Sequence, residues 1–167
     1  MWFHKELLIK TVESKPLSEL VQVIEEIENM WSWSRTHKLL CNTTECKATR
    51  RMILRQFDRQ LLQKLGVPHR DVTVERYDVS AAEVVYDTYM ERLERLCDKL
   101  YERLYWNAKC TEEDEIVCAI DTTVSELATA LNVSADDVRV ALTQCKFPES
   151  VRIELQDNKV IYTYKYD

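Results

Sequence analysis

The chain has 167 residues, of which 46% are hydrophobic and 31% charged, and its formal net charge at pH 7 is −6. This apolar content is enough for a hydrophobic core in one domain or two small ones. One glycine and three prolines favour a helix-rich protein and argue against a β-sandwich or barrel, which needs many tight turns. No apolar run approaches about 18 residues, and charged residues interrupt the N-terminal segment. We therefore expect an intracellular protein with neither a signal peptide nor a membrane span.

The N-terminal segment predicts two helices separated by a proline. Residues 2–12 form a short amphipathic pattern, and Pro16 suits the first turn of the next helix. Apolar residues then recur three and four positions apart as far as Trp31, which predicts one buried helical face. Residues 32–44 are polar and lose this periodicity, so we expect them to contain a loop.

A third helix is predicted from Glu45 to Leu65, with Gly66 as its C-terminal cap. Its surface carries cations at a spacing of four, with one further arginine beside them. This basic row comprises Lys47, Arg50, Arg51, Arg55 and Arg59. Like charges at this spacing repel one another, and the phosphates of a nucleic acid would relieve that repulsion. The alternative is a solvated helix face, or a face paired with acidic residues.

The longest helix is predicted over residues 81–106, after a short extended segment at 72–77. Ser80 and Glu83 form a capping box at its start. Its apolar residues form one stripe close to a heptad repeat, and such a stripe requires a partner surface. That surface is either the upstream helix pair or the same helix of a second copy. We predict a homodimer through this helix.

The last third of the chain predicts two short helices joined by a tight turn. Thr123 caps the first helix, and Glu126 closes a capping box with it. Asn132 tolerates a left-handed backbone and so suits the end of that helix. Ser134 then caps the second helix, which we expect to run to about residue 146.

A hairpin is predicted directly after this helix pair, and together they resemble the helix-turn-helix of winged-helix regulators. Val151 to Leu155 and Val160 to Tyr166 are β-type runs, and Asp157 and Asn158 between them suit a two-residue turn. The motif residues that carry the resemblance are Leu127, Ala128, Leu131, Asn132, Val133, Ser134 and Val138. The resemblance implies three helices followed by a hairpin.

The predicted fold is therefore mainly α. A helical domain over residues 1–110, which could dimerise, precedes a winged-helix domain over 111–167 with a β-hairpin wing. The charge is divided unevenly, because residues 111–167 hold twelve acidic and five basic residues. Residues 35–70 hold nine basic and two acidic residues, so a basic middle precedes an acidic end.

The resemblance also implies a site. In DNA-binding members of the family, exposed side chains of the second helix reach base edges in the major groove. Here that helix begins with Asp136 and Asp137, which suit a helix N-terminus but face phosphates unfavourably. The candidate donors are Arg139, Thr143, Gln144 and Lys146 on the helix and Lys159 at the hairpin tip. The acidic balance keeps open a winged helix that binds a protein partner instead of DNA.

The six cysteines leave three interpretations open. In an ordinary cytosol most would be free and buried, whereas intracellular chains of hyperthermophiles carry disulfides. His37, Cys41 and Cys46 could begin a zinc site, but their spacing matches no common zinc signature. A disulfide between Cys41 and Cys46 is also open, and we predict no bound metal.

The motifs of common enzymes are absent from the sequence. It holds no glycine-rich phosphate loop, no GxSxG and no HExxH, and only three histidines. We therefore predict a protein without catalysis or cofactor. The leading hypothesis is a transcription regulator that binds duplex DNA through the basic row and the second helix of the motif. The alternative is an acidic winged-helix adaptor, or a mimic of DNA charge, that binds a protein partner. The target sequence, the partner and the source organism do not follow from the residues.

Overall fold

The computed structural model describes residues 2–70, 80–112 and 116–166. The chain separates into two compact units by its internal contacts. The N-terminal unit comprises Met1–Lys15 and Glu19–Met90, and the C-terminal unit comprises Pro16–Ser18 and Glu91–Asp167. Helices dominate the described part, which confirms the mainly α class, and the sheets are small and antiparallel. Within these ranges no helix combines the length and hydropathy that crossing a membrane requires.

The N-terminal unit is built from helices and one two-stranded antiparallel sheet. Its elements are β1 (Trp2–Phe3), α1 (Lys5–Ser14), α2 (Leu17–Leu40), α3 (Thr44–Leu65), β2 (His69–Arg70) and the start of α4 (Ala81–Asn107). Trp2 lies opposite Arg70 in the sheet, with the guanidinium 4.8 Å from the indole centroid. The helix predicted from residue 2 begins later, because the His4 imidazole caps it by accepting from the Leu7 amide at 3.2 Å.

Helix α2 is longer than the sequence predicts, and the loop expected within residues 32–44 is confined to the end of that stretch. The helix continues to Leu40, and only residues 41–43 connect it to α3. A polar contact supports this continuation, since Ser34 is buried and its hydroxyl accepts a hydrogen bond from Arg50 of α3. The continuation therefore needs no apolar stripe. Most of the other residues in this stretch are exposed, and exposed helical turns need no hydrophobic periodicity.

The core of the N-terminal unit joins the predicted apolar faces of its helices. The side chains with the least exposure on α1, α2, α3 and α4 are Leu8, Val12, Leu20, Ile27, Leu62 and Val85. Gly66 ends α3 with φ 72°, the left-handed value that glycine adopts without a steric penalty. Its amide donates to the Gln63 and Leu62 carbonyl oxygens, which confirms the predicted cap.

Helix α4 confirms the predicted long helix to within one residue. Ser80 caps it by accepting from the Glu83 amide at 3.5 Å. The lower part of its apolar stripe, Leu93, Leu96, Leu100 and Leu104, is no more than 6% exposed. A single chain therefore already buries these residues, so the stripe no longer requires a second copy. The extended segment predicted at 72–77 lies outside the described residues.

The C-terminal unit combines the end of α4 with a four-stranded antiparallel sheet and two short helices. Its further elements are β3 (Lys109–Glu112), β4 (Ile116–Thr123), α5 (Val124–Leu131), α6 (Ala135–Gln144), β5 (Val151–Gln156) and β6 (Lys159–Tyr166). The strand order is β3-β4-β6-β5. Strand β6 therefore lies between β4 and β5, and Tyr162, opposite Ile120, is fully buried.

Strand β4 is the longest of the described strands that the sequence analysis misses. The expectation of three helices within 111–167 is wrong for its described part, which contains α5, α6 and strands. The sequence of β4 lacks the alternation of polar and apolar residues that indicates a strand, since residues 116–120 are all apolar. Its partner β6 follows both helices in the sequence, so no local pattern indicates the pairing. The division at residue 110 stays a prediction, although the compact units change over within α4 instead.

The predicted caps and hairpin turn of this unit are confirmed. The Thr123 hydroxyl accepts from the Glu126 amide, and the Ser134 hydroxyl accepts from the Asp137 amide, both at 3.1 Å. Asn132 ends α5 with φ 56°, and Asp157 opens the hairpin turn with φ 55°. These short-range signals therefore place α5, α6 and the hairpin close to their observed bounds.

All six cysteines are paired. The disulfides join Cys41 to Cys46, Cys97 to Cys145 and Cys110 to Cys118. The first closes the connection between α2 and α3, the second ties α4 to the end of α6, and the third links β3 to β4. Of the interpretations that the sequence leaves open for the cysteines, the structure shows disulfides.

Candidate nucleic-acid interface

The basic row on α3 is only partly available to a ligand. Lys47 and Arg51 are exposed, and neither forms an ion pair with another described residue. Arg50 instead reaches α2, where its Nε donates to the Ser34 carbonyl oxygen at 3.1 Å and its Nη2 to the Ser34 hydroxyl at 2.7 Å. Because Ser34 is buried, Arg50 serves the packing of the two helices.

Arg55 and Arg59 lie further along the same row. Both are half-buried, with their Nε atoms shielded from solvent, and each makes an interaction within the chain. A shielded guanidinium reaches a phosphate less readily than an exposed one. The part of the row that presents its charge freely therefore consists of Lys47 and Arg51.

Asp58 interrupts the row and was not singled out from the sequence. It is 2% exposed, and its carboxylate accepts from the amides of Ala81 at 3.1 Å and Ala82 at 3.3 Å and from the Ser80 hydroxyl at 3.3 Å. Burial raises the pKa of Asp58 to about 6, whereas the two amide bonds act in the opposite direction. Asp58 thus caps α4 from another helix, and no local signal could have indicated this role.

A cleft of about 290 Å³ lies beside Asp58 in the N-terminal unit, lined among others by Trp31, Arg50, Ser80 and Glu83. Four of its polar side chains are committed to structure, since Arg50 bonds Ser34 and Ser80 bonds Asp58. Trp31 packs edge-on against Tyr86, with centroids 4.9 Å apart. The cleft therefore supports the packing of α2, α3 and α4.

The first turn of α6 differs from its sequence-based description. Asp137 is 7% exposed, and its Oδ1 accepts from the Ser18 amide at 3.4 Å. Asp136 is exposed. Only one of the two carboxylates therefore faces solvent.

The candidate donors on α6 occupy different environments. Arg139 is half-buried, and its Nη1 donates to the Asp157 carbonyl oxygen at 2.9 Å, which joins α6 to the hairpin turn. The Thr143 hydroxyl donates back to the carbonyl oxygens of its own helix at 3.0 Å. Gln144 and Lys146 are exposed. The helix and the hairpin turn are thus held together, with Gln144 and Lys146 presented to solvent.

Two cations of the hairpin are paired with carboxylates. Lys159 Nζ lies 3.1 Å from an Asp121 carboxylate oxygen, and Arg152 Nε lies 3.3 Å from a Glu154 carboxylate oxygen. All four side chains are at least 44% exposed, so these ion pairs are worth little and can exchange for a phosphate. Lys159 can therefore contact a phosphate only after its ion pair with Asp121 has opened.

A second cleft, of about 600 Å³, lies in the C-terminal unit beside α5. Polar groups from α4, β4 and α5 line it, including Arg103, Asn107, Asp121 and Glu126. Glu126 accepts from the Thr122 hydroxyl at 2.7 Å. Sequence reasoning missed this cleft because one of its walls is β4, the strand that was not predicted.

The zinc interpretation is wrong, because Cys41 and Cys46 form a disulfide and so offer no thiolate. The described residues also contain no group of three or more metal-ligating side chains. Nearby, His37 packs against Trp33 with ring centroids 4.2 Å apart.

The candidate residues form two sets in different units. Lys47 and Arg51 belong to the N-terminal unit, and Arg139, Thr143, Gln144 and Lys146 belong to the C-terminal unit. No known protein family, characterised protein or solved structure matches this chain. The functional argument therefore depends on the geometry and charge of these two sets.

Proposed function

We propose that the C-terminal unit is a winged-helix domain and that the protein is a non-catalytic regulator that binds duplex DNA. The order of elements supports this proposal: the end of α4, then β4, α5, α6 and the β5–β6 hairpin. Placement of β6 between β4 and β5 is the sheet arrangement expected when a hairpin wing folds back on the strand before α5. Strand β3 is an addition to that order.

The burial of Asp137 is the observation that carries the nucleic-acid proposal. It leaves Asp136 as the exposed carboxylate in the first turn of α6, while Gln144 and Lys146 offer donors further along. An α-helix about 10–12 Å in diameter fits the major groove, which is about 12 Å wide. Amide and ammonium groups on such a helix can bind base edges or phosphates.

Phosphate anchoring would come from Lys47 and Arg51, the exposed members of the basic row. Such contacts position a protein on DNA without reading its sequence. The bond from Arg139 to the hairpin turn would hold α6 and the wing in one orientation, which lowers the ordering cost of binding. Lys159 would add a contact at the wing once it leaves Asp121.

Retention on duplex DNA as a function of salt concentration tests the proposal. The wild-type protein should bind at low salt and release as salt rises, because phosphate contacts displace counterions. Replacing Lys47 and Arg51 together by glutamine should reduce the slope of log K against log salt by about 2. Lys5→Gln with Lys10→Gln on α1 is the matched control, since it removes the same charge from another helix. No retention of wild type at low salt would contradict the proposal.

A protein-binding adaptor is the second candidate, and the charge of the C-terminal unit favours it. Residues 91–167 contain sixteen acidic and ten basic residues. A unit with this balance repels DNA at long range and attracts basic surfaces. Absence of DNA retention, with binding of a basic partner protein that weakens as salt rises, would support the adaptor.

A further inference from the structure

The connection between α2 and α3 presents two large apolar side chains to solvent. Leu39 and Leu40 are the last residues of α2, and they are 85% and 76% exposed. Single exposed leucines are common on protein surfaces. Two adjacent ones at the end of a helix form a local apolar projection, however, and the described residues leave it uncovered.

The disulfide between Cys41 and Cys46 fixes this projection in place. It spans the connection at 41–43, and its second cysteine lies in the first turn of α3. The Thr43 hydroxyl caps that helix by accepting from the Cys46 amide at 3.1 Å. Leu39 and Leu40 therefore project from a closed helical hairpin and lose little conformational freedom when a partner binds.

Positive charge surrounds the two leucines. Between Arg35 and Arg51 the sequence contains a single carboxylate, Glu45. The exposed cations of this stretch are Arg35, Lys38, Lys47 and Arg51. None of the four is in an ion pair with a residue that the structure describes. We call residues 35–51 the hairpin end.

We propose that the hairpin end is a docking site for the surface of an anionic lipid bilayer. Leu39 and Leu40 would enter the interface between headgroups and acyl chains, and the surrounding cations would contact the lipid phosphates and carboxylates. Stable peripheral attachment requires two such signals together, an apolar one and a basic one. The inference does not rest on the proposed DNA binding, because phosphate anchoring by Lys47 and Arg51 does not require burial of Leu39 and Leu40.

Charge and shape disfavour the other occupants. Pairing with the same surface of a second copy would bring eight exposed cations together, and like charges repel. A peptide helix docks in a groove that covers its apolar face, whereas these leucines project. A bilayer is anionic at its surface and apolar beneath, so it complements both features.

Co-sedimentation with lipid vesicles tests this proposal on the full-length, disulfide-bonded protein. Vesicles of phosphatidylcholine mixed with phosphatidylserine should bind it, and vesicles of phosphatidylcholine alone should bind it weakly. Replacing Leu39 and Leu40 together by serine should weaken binding by about a hundredfold, since each buried leucine contributes about tenfold. Both side chains are exposed, so circular dichroism should show the wild-type fold.

Two controls test whether vesicle binding depends specifically on Leu39 and Leu40. Leu7→Ser removes an exposed leucine from α1 and should leave vesicle binding unchanged. The Leu39/Leu40 double variant should keep wild-type retention on duplex DNA, so failure of the lipid and DNA proposals would be seen in separate assays. Equal vesicle binding by the double variant and wild type would overturn the inference. So would concentration-dependent oligomers without vesicles that the double variant abolishes.

Discussion

Asp58 is a buried carboxylate on α3 that accepts hydrogen bonds from the first turn of α4. Burial alone would favour its protonated form, and its pKa is raised from 3.8 to about 6. The amides of Ala81 and Ala82 and the Ser80 hydroxyl satisfy the carboxylate but do not offset the burial. Near neutral pH the buried Asp58 carboxylate is therefore charged where it caps α4, and this charge lowers the stability of the folded protein.

This cost predicts a pH dependence that belongs to one side chain. Because the folded protein holds the Asp58 proton more tightly, the stabilising contribution is complete below pH 3.8 and is lost as pH rises through about 6. Asp58→Asn cannot titrate, so the free energy of unfolding of wild type should fall relative to this variant by about 3 kcal/mol across that interval. Urea unfolding over the interval measures it. Asp136→Asn, at an exposed site, should give a curve parallel to wild type; a parallel curve for Asp58→Asn would refute the assignment.

At this same scale, the sequence predicts the signals that act over three or four residues. Gly66, Thr123, Asn132 and Ser134 cap their helices as expected, because each bonds an amide or carbonyl group close by in the chain. The burial of Asp137 could not be predicted, because its partner, the Ser18 amide, is 119 residues away. Asp58 was missed for the same physical reason. Burial of a charge depends on tertiary contacts that no local window contains.

Among the elements, the disulfides differ in the length of chain that they close. Cys97 and Cys145 are 48 residues apart, whereas Cys41 and Cys46 are 5 apart. Loop-closure entropy predicts stabilisation of about 4 kcal/mol for the first and about 2 kcal/mol for the second. Replacing each pair by serines should lower the free energy of unfolding by these amounts in urea unfolding. Equal losses, or a larger loss at Cys41 and Cys46, would contradict the argument.

The same scale explains the two errors in the predicted elements. The continuation of α2 past Trp31 is held by Ser34 and Arg50, a polar contact that leaves no hydrophobic period. Strand β4 pairs with β6, and α5 and α6 intervene in the sequence. Helices with an apolar stripe, such as α4, and a hairpin with a local turn are predictable from the chain. Polar packing and long-range strand pairing are not.

For the whole molecule, the net charge of −6 resides in the C-terminal unit. Residues 1–90 hold thirteen acidic and thirteen basic residues, so their net charge is zero. The balanced N-terminal unit nevertheless concentrates free cations at the hairpin end, and the acidic C-terminal unit presents Gln144 at the end of α6 and Lys146 two residues further on. The average charge of the chain therefore says little about either surface. The DNA-binding and the lipid-binding proposals both concern local surfaces whose charge differs from this average. The salt dependence of binding is therefore a suitable first measurement for each.

The predicted homodimer through α4 can be tested against the burial of its stripe. Leu100 is fully buried in a single chain, so Leu100→Asp would place an unpaired carboxylate in the core. We expect a loss of more than about 4 kcal/mol of stability and collapse of the fold, seen as lost helical circular dichroism. If the stripe were instead a seam between two copies, the variant would remain folded and light scattering would show a monomer where wild type is a dimer. Lys99→Asp, at the exposed neighbouring position, should keep both the fold and the wild-type mass. A folded, monomeric Leu100→Asp variant would therefore support the predicted homodimer and contradict the burial of Leu100 within a single chain.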